Sequence, residues 1–146
     1  MCISNSKLEG HFRRNAGRFS VQYLIAGDTQ LTPLLLNELS KSQDAAVRAR
    51  VAENVSTPTS ILLRLLEDDD ADVRLSLSYN PSLPYMFLKQ LATSDSVDVR
   101  FGLAENALLS PCILETLAND ENPYVAQRAA DTLSRLNERC SEAAAA

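Results

Sequence analysis

The sequence is poor in the residues from which most catalytic and cofactor sites are built. Its 146 residues include one histidine, no tryptophan, four glycines and three cysteines. We therefore expect no glycine-rich phosphate loop and no paired nucleophile and base, and we predict a protein that is not an enzyme. Cys2, Cys112 and Cys140 are odd in number and far apart, which favours reduced thiols over disulfides or a metal cluster.

Long hydrophobic runs are also missing. No apolar stretch approaches the roughly 18 residues that a membrane span needs. The first residues, MCISNSKLEGHFRR, contain no apolar run typical of a secretory signal, so we expect a cytoplasmic protein without membrane contact. Apolar residues make up 45% of the chain and charged residues 23%, which is typical of a globular domain.

Positive charge is scarce except near the start of the chain. Residues 1–20 contain four basic side chains and one acid, whereas the whole chain has a formal net charge of -5. The sequence thus predicts a basic N-terminal arm or capping helix over 1–20 on an acidic body. Because phosphate contacts need dense lysine and arginine, we do not expect the body to bind nucleic acid.

What the sequence does contain is an internal repeat with a constant interval of 26 residues, which separates Val47 from Val73. Three stretches align closely, AVRARVAENVSTPTSILLRLLEDD, DVRLSLSYNPSLPYMFLKQLATSD and DVRFGLAENALLSPCILETLANDE, with a looser unit before them and an incomplete one after. The recurring apolar positions are predicted to form the core. They are Val21, Val47, Val73, Val99 and Val125, then Leu39, Leu65, Leu91 and Leu117, and Leu36, Leu62, Leu88 and Leu114.

Each 26-residue unit is predicted to form two short helices. Asp44 and Asp70 are suitable N-caps for the first helix, which the asparagine at the end of the half-unit terminates. Thr32-Pro33, Thr57-Pro58 and Ser110-Pro111 are interpreted as a capping hydroxyl followed by proline at the first helical position. Isolated helices this short are marginal in water, so stacking of neighbouring units has to stabilise them.

These units resemble the leucine-rich variant (LRV) repeat family, whose architecture is related to that of HEAT repeats. The resemblance covers residues 21–133 and implies an all-α, right-handed α-solenoid of about five two-helix repeats, which we place over 21–140 with a frayed tail over 141–146. Some members of the family bind an iron–sulfur centre through an N-terminal cysteine cluster. Only Cys2 lies near the start of this chain, so we expect no cofactor.

Two polar columns share the repeat interval, and we predict that they form a structural ladder. Arg48, Arg74 and Arg100 are interleaved with Asp44, Asp70, Asp72 and Asp98, which favours internal ion pairs over an anion-binding stripe. Asn54, Asn80 and Asn106 are interpreted as helix stops whose amides bind neighbouring backbone.

Three groups of residues remain as candidate interaction sites. The first is an acidic edge at the turns between units, which suits a basic partner or a weakly held divalent cation: Glu67, Asp68, Asp69, Asp70, Asp72, Asp95, Asp98, Asp120 and Glu121. The second is a partner-binding patch of Tyr79, Tyr85 and Met86, which replace small or charged residues of other units. The third is a basic stripe of Lys7, His11, Arg14 and Arg18, opposite the apolar side chains of Leu8, Phe12, Ala16 and Phe19 at helical spacing.

The leading functional hypothesis is a protein–protein interaction module or scaffold that uses the surface of a short solenoid. The alternative is a nucleic-acid-binding helical-repeat protein that contacts phosphates through the basic arm. Docking of the basic stripe on the acidic edge of another copy would give a salt-sensitive self-association. The identity of the partner is not predicted.

Overall fold

The computed structural model describes residues 20–144, with side chains through residue 139. Within these residues the chain forms nine α-helices and no strand, which confirms the all-α prediction there. They are α1 Val21–Ala26, α2 Pro33–Leu39, α3 Ala45–Glu53, α4 Thr59–Leu65, α5 Ala71–Ser76, α6 Tyr85–Ala92, α7 Val97–Glu105, α8 Pro111–Ala118 and α9 Pro123–Ala144. A 3₁₀ turn, Leu77–Tyr79, continues α5.

The first helix of each close-matching unit begins at a side-chain cap, and these caps recur at the repeat interval. Asp44 Oδ1 accepts from the Ala46 amide at 2.9 Å, and Asp70 Oδ1 accepts from the Asp72 amide at the same distance. Ser96 caps α7 by the same kind of bond. The capping roles predicted for Asp44 and Asp70 are thus confirmed, because their oxygens satisfy amides that have no helical partner.

The second helices begin where the sequence predicted, except that α4 begins one residue later. Their N-caps are Thr32, Pro58, Pro84 and Ser110, again at the repeat interval. The prediction of Thr57 as a cap is wrong: its buried hydroxyl donates to the Val51 carbonyl at 2.7 Å. Ser110 occupies the N-cap position of α8 as predicted. Its hydroxyl is buried and makes no hydrogen bond to any described residue, so it does not cap the helix amides.

The valine and leucine columns form one continuous core, with one clear exception. Val47, Val73, Val99 and Val125 are fully buried, and the leucine columns are buried apart from the half-buried Leu88. The prediction is wrong for Val21, which is 72% exposed at the start of α1. The equivalent later valines each have a helix packed in front of them, and α1 has no such neighbour among the described residues.

Helices that are one unit apart pack against each other. The first helices follow one another in the order α1, α3, α5, α7 and α9, and α6 packs on α8. The approach of α7 to α5 is close at Gly102, where an added Cβ would overlap the Leu75 side chain. Glycine at this point is therefore a consequence of tight helix contact.

The last helix, α9, is much longer than the others. It contacts α7 and α8 and continues through Ala144, into the segment where the sequence analysis placed a frayed tail. No helix among residues 20–144 is both long and apolar enough to span a membrane. The basic stripe of Lys7, His11, Arg14 and Arg18 and the predicted arm of residues 1–20, except residue 20, lie outside the described residues.

Candidate interaction face

Asparagine amides join each unit to the preceding one. Asn54 Nδ2 donates to the carbonyls of Ala26 and Asp28, both at 2.8 Å. Asn80 Nδ2 repeats this with Ala52 and Asn54 at 2.7 and 2.9 Å. These buried bonds saturate carbonyls at the ends of the preceding first helix, so the column is occupied by internal contacts.

The same column has a fourth member that the sequence analysis did not identify. Asn106 Nδ2 bonds to the Ser78 carbonyl and hydroxyl, and one interval later the Thr132 hydroxyl donates to the Ala104 carbonyl at 2.7 Å. Thr132 lies at the repeat interval from Asn106, so the interval itself was the available signal. We call Asn54, Asn80, Asn106 and Thr132 the amide ladder.

The arginine column makes ion pairs, but with partners other than those predicted. Arg48 binds Asp68 through Nε and Nη2 at 2.8 and 2.9 Å, and Arg100 binds Asp120 in the same way at 2.7 and 3.2 Å. In both pairs the carboxylate belongs to the next turn between units. The nearby carboxylates that we expected to pair are not the partners, since Asp44 and Asp70 cap helices instead.

Arg74, between these two pairs, lacks the matching carboxylate. The position equivalent to Asp68 and Asp120 in the unit of Arg74 is occupied by Ser94. Arg74 Nη1 donates instead to the Asp68 carbonyl. Arg48 and Arg100 likewise each donate to a carbonyl of the preceding turn, Ser42 at 2.8 Å and Ser94 at 2.6 Å. All three guanidinium groups are therefore committed to the chain's own turns.

The carboxylates of these pairs are stronger acids than usual. Burial opposes ionisation of Asp120, but hydrogen bonds from Arg100 and from the Asn122 amide outweigh it and lower the pKa of Asp120. Asp68 follows the same balance, with bonds from Arg48 and from the Asp70 amide that lower its pKa. Side-chain exposure is only 8% for Arg100 and 7% for Asp120, so this is a buried charge pair.

The predicted acidic edge is thereby divided into two groups. Asp68 and Asp120 are in ion pairs and Asp70 caps α5, so these three have structural roles. The remaining members are exposed and lie either in the turns between units or in the first turn of the helix that follows. Those in the turns are Glu67, Asp69, Asp95 and Glu121, and those in the first turns of α5 and α7 are Asp72 and Asp98. Glu67 accepts from Gln90, and Glu121 lies 3.7 Å from Arg100.

A different set of residues lines the exposed side of the first helices. It combines three aromatic rings with two arginines and two glutamates, and we call it the aromatic row. Its members are Tyr23, Arg50, Glu53, Tyr79, Phe101, Glu105 and Arg128. Apart from Tyr79, these residues belong to none of the sites predicted from the sequence.

The two ends of the aromatic row repeat the same contact. The Arg50 guanidinium carbon lies 5.8 Å from the centre of the Tyr23 ring, and that of Arg128 lies 5.4 Å from the Phe101 ring centre. In each pair the ring belongs to the unit before that of the arginine, and the two pairs are three intervals apart. Each arginine thus stacks on an aromatic side chain of the preceding unit.

Each of these arginines also binds a glutamate. Arg50 Nη1 lies 3.0 Å from Glu53 Oε2, and Arg128 Nη2 lies 3.4 Å from Glu105 Oε1. Glu53 is the more buried carboxylate, and its other oxygen accepts from the Ser76 hydroxyl at 3.4 Å. Burial raises the pKa of Glu53 even though Arg50 opposes the shift.

Tyr79 occupies the middle of the row. It takes the column held by Glu53 and Glu105 in the flanking units, and it is half-buried against the core. Burial raises the pKa of its phenol, and the negative charges of Glu105 and Glu53 add to this shift. The phenol therefore lies within the field of both carboxylates, and the part of the side chain that is not buried is available at the surface.

The other two residues of the predicted patch lie at the start of α6. Tyr85 and Met86 are both exposed, and Lys89 Nζ lies 5.4 Å from the centre of the Tyr85 ring. No hydrogen bond, ion pair or ring contact joins them to Tyr79 among the described side chains. Tyr79 ends the 3₁₀ turn after α5, whereas Tyr85 and Met86 begin α6.

The described part of the chain offers no evident metal site. No group of three histidine, cysteine, aspartate or glutamate side chains there could hold a metal ion. Cys112 is exposed as a free thiol. Cys2 and the side chain of Cys140 lie outside the described residues.

Comparisons with models of protein families, with curated proteins and with solved structures found no match to this chain.

Proposed function

We propose that this chain is a non-enzymatic interaction module that binds a protein or peptide through the aromatic row. The architecture in this proposal is a right-handed α-solenoid of about five LRV-like or HEAT-like repeats. Two observations support this architecture. The first helices of successive units pack against one another, and the amide ladder joins equivalent positions of neighbouring units. A stack of this kind offers a continuous surface along its helices.

The observation that carries the functional proposal is the contrast between the two arginine columns. Arg48, Arg74 and Arg100 bind carbonyls and carboxylates of the turns, so they have structural roles. Arg50 and Arg128 also pair with a glutamate, but they lie over aromatic rings and their side chains are 42% and 38% exposed. Arginine and tyrosine in partly desolvated positions are the residue types that dominate binding energy at protein interfaces.

The charges of the row indicate the chemistry of the partner. Two arginines and two glutamates balance each other, so the row favours a partner segment of mixed charge with an apolar or aromatic residue for Tyr79. The exposed acids in and just after the turns, including Asp69, Asp72, Asp95 and Asp98, give the same chain a negative field. That field would increase the association rate of a segment that also contains basic residues.

A displayed random-peptide library is a suitable probe because it requires no known partner. Peptides selected on the full chain should bind it and should lose at least about tenfold in affinity to Arg50→Ala/Arg128→Ala, since tenfold corresponds to about 1.4 kcal/mol. The matched control is Lys41→Ala/Arg135→Ala, which removes two exposed cations that belong to neither the row nor the arginine column. Titration by isothermal calorimetry measures the three affinities.

Two results would contradict the proposal. Selected peptides that bind the row variant and the wild type equally well would place binding elsewhere on the surface. Filter binding of single-stranded or duplex nucleic acid with a steep dependence on salt would favour the alternative, in which the basic arm contacts phosphates.

A further inference from the structure

The first helix of the described chain exposes apolar residues whose equivalents in later units belong to the core. Val21 and Ile25 of α1 are 72% and 39% exposed. The residues that occupy these two columns in later units are fully buried. They are Val47, Val73, Val99 and Val125 in the first column, and Val51, Leu77, Leu103 and Ala129 in the second.

The second helix of the first unit shows the same difference. Leu35 is 41% exposed, whereas Ile61 and Ile113, its equivalents in α4 and α8, are buried and Phe87 in α6 is half-buried. Leu24 and Leu34 of the same two helices are 65% and 73% exposed. In all three columns the side chain of the first unit is the most exposed, so the cause is the lack of a preceding helix among the described residues and not an isolated substitution.

The opposite end of the stack differs within the described side chains. There α9 packs on α7 and α8 through Val125, Ala129 and Leu133, and its outward side is polar apart from Tyr124, which is 77% exposed. Exposed residues on that side include Gln127, Asp131, Arg135 and Glu138. Terminal units of stacked-repeat proteins need a polar outer side of this kind, and only one end of the described chain has it.

We propose that residues 1–19 of this chain cover the apolar end formed by Val21, Leu24, Ile25 and Leu35. The segment ends at Ser20, the residue that caps α1, so no linker separates it from the surface. Its apolar side chains, Leu8, Phe12, Ala16 and Phe19, fall on one side at helical spacing. Covalent attachment also gives it an effective concentration that a separate molecule rarely reaches.

This cover is not a further copy of the repeat unit. One interval before the buried Leu36 and Leu39, the sequence has Gly10 and Arg13. Neither residue can fill a leucine site in the core, so the segment has to dock through its own apolar side. Docking in this way directs Lys7, His11, Arg14 and Arg18 toward solvent and gives this end of the acidic body a basic surface.

Hydrogen exchange of the full chain, measured by mass spectrometry, tests this docking. Phe12→Ser/Phe19→Ser removes the two largest apolar groups of the segment, and Arg14→Ser/Arg18→Ser is the control on its polar side. We expect amides of α1 and α2 to exchange at least about tenfold faster in the phenylalanine variant and unchanged in the control. Peptides from α7 and α8 should not change in either variant, which verifies that the rest of the chain stays folded.

Two outcomes would overturn the proposal. Equal exchange of α1 and α2 in the wild type and the phenylalanine variant would show that the segment does not cover this end. Protection of α1 that increases with protein concentration, together with a dimeric mass by light scattering, would identify a second copy as the occupant. A monomer whose α1 is protected only when Phe12 and Phe19 are present supports the proposal.

Discussion

Replacement of Asn80 by alanine should show how strongly the amide ladder stabilises the chain. The Asn80 side chain is buried and makes three hydrogen bonds. Its amide donates to the carbonyls of Ala52 and Asn54, and its oxygen accepts from the Ser82 amide at 2.8 Å. Two of these bonds cross between units, so the substitution removes contacts that hold neighbouring units in register.

The size of the effect follows from what the substitution leaves behind. The Ala52 carbonyl stays buried without a donor, and an unsatisfied buried group costs about 1 to 3 kcal/mol. The Asn54 carbonyl keeps the bond from the Thr57 amide at 3.0 Å, so there the substitution removes only one of two bonds, at a cost of about 1 kcal/mol. The Ser82 amide is less buried and can bind water. We therefore expect Asn80→Ala to lower the free energy of unfolding by about 3 kcal/mol, a large part of the roughly 5 to 15 kcal/mol of an ordinary domain.

Urea denaturation followed by circular dichroism measures this free energy. Asn119→Ala is the matched control, because Asn119 is exposed and its amide bonds only to the Glu115 carbonyl at the end of its own helix, α8. We expect the control to change stability by less than about 0.5 kcal/mol. A loss of less than about 1 kcal/mol in Asn80→Ala would refute the argument that the ladder bonds matter.

Asn80→Asp sharpens the test because it keeps the shape and removes the donor. An ionised aspartate here would face two carbonyl oxygens, so its folded pKa should be raised above the ordinary unfolded value of about 3.9. A raised folded pKa destabilises the folded chain as pH increases. Measured against the wild type at the same pH, the variant should therefore be least impaired in acid and most impaired at neutral pH.

Three further predictions concern the other internal polar contacts. Arg100→Met should lower stability by about 3 kcal/mol, because it leaves the buried Asp120 carboxylate unpaired. Arg74→Met should cost less, because Arg74 binds a carbonyl and no carboxylate, and urea titration of both variants compares the two costs. The wild type should lose stability as pH falls through the lowered folded pKa values of Asp68 and Asp120, since the unfolded chain then binds more protons; Asp120→Asn should flatten this loss in urea titrations from neutral pH into acid. Thr132→Val should cost about 1 kcal/mol in thermal unfolding, because a buried bond at the end of the ladder is lost.

Helix content and approximate helix positions follow from the sequence because they depend on local rules. Aspartate caps and a constant repeat interval placed the first helices correctly. The error at Thr57 has a physical origin: a hydroxyl before a proline suits an N-cap, but the interval puts the cap at Pro58 and frees the hydroxyl for the Val51 carbonyl. The interval was the stronger guide, because the N-caps of all four second helices keep it: Thr32, Pro58, Pro84 and Ser110.

The partners of the arginines could not be predicted in the same way. Local reasoning pairs Arg48 with a carboxylate four residues earlier, which is the usual spacing for contacts on one helix. That carboxylate, Asp44, is already used as a cap, so Arg48 reaches the next turn and binds Asp68. Whether an aspartate caps a helix or pairs with an arginine depends on how far that arginine lies from the next turn. A single sequence does not contain that distance.

The aromatic row was missed for the opposite reason. Its two equivalent arginines, Arg50 and Arg128, are three intervals apart, with Ser76 and Gly102 in the units between them. A search for columns that recur in every unit finds residues required for stacking, and it discards positions that change from unit to unit. A surface that binds a partner has to vary along the stack, because the partner does not itself repeat at the same interval. Departures from the repeat that keep a defined contact, as Arg50 and Arg128 do with Tyr23 and Phe101, are therefore the positions where function should be sought in a chain of this kind.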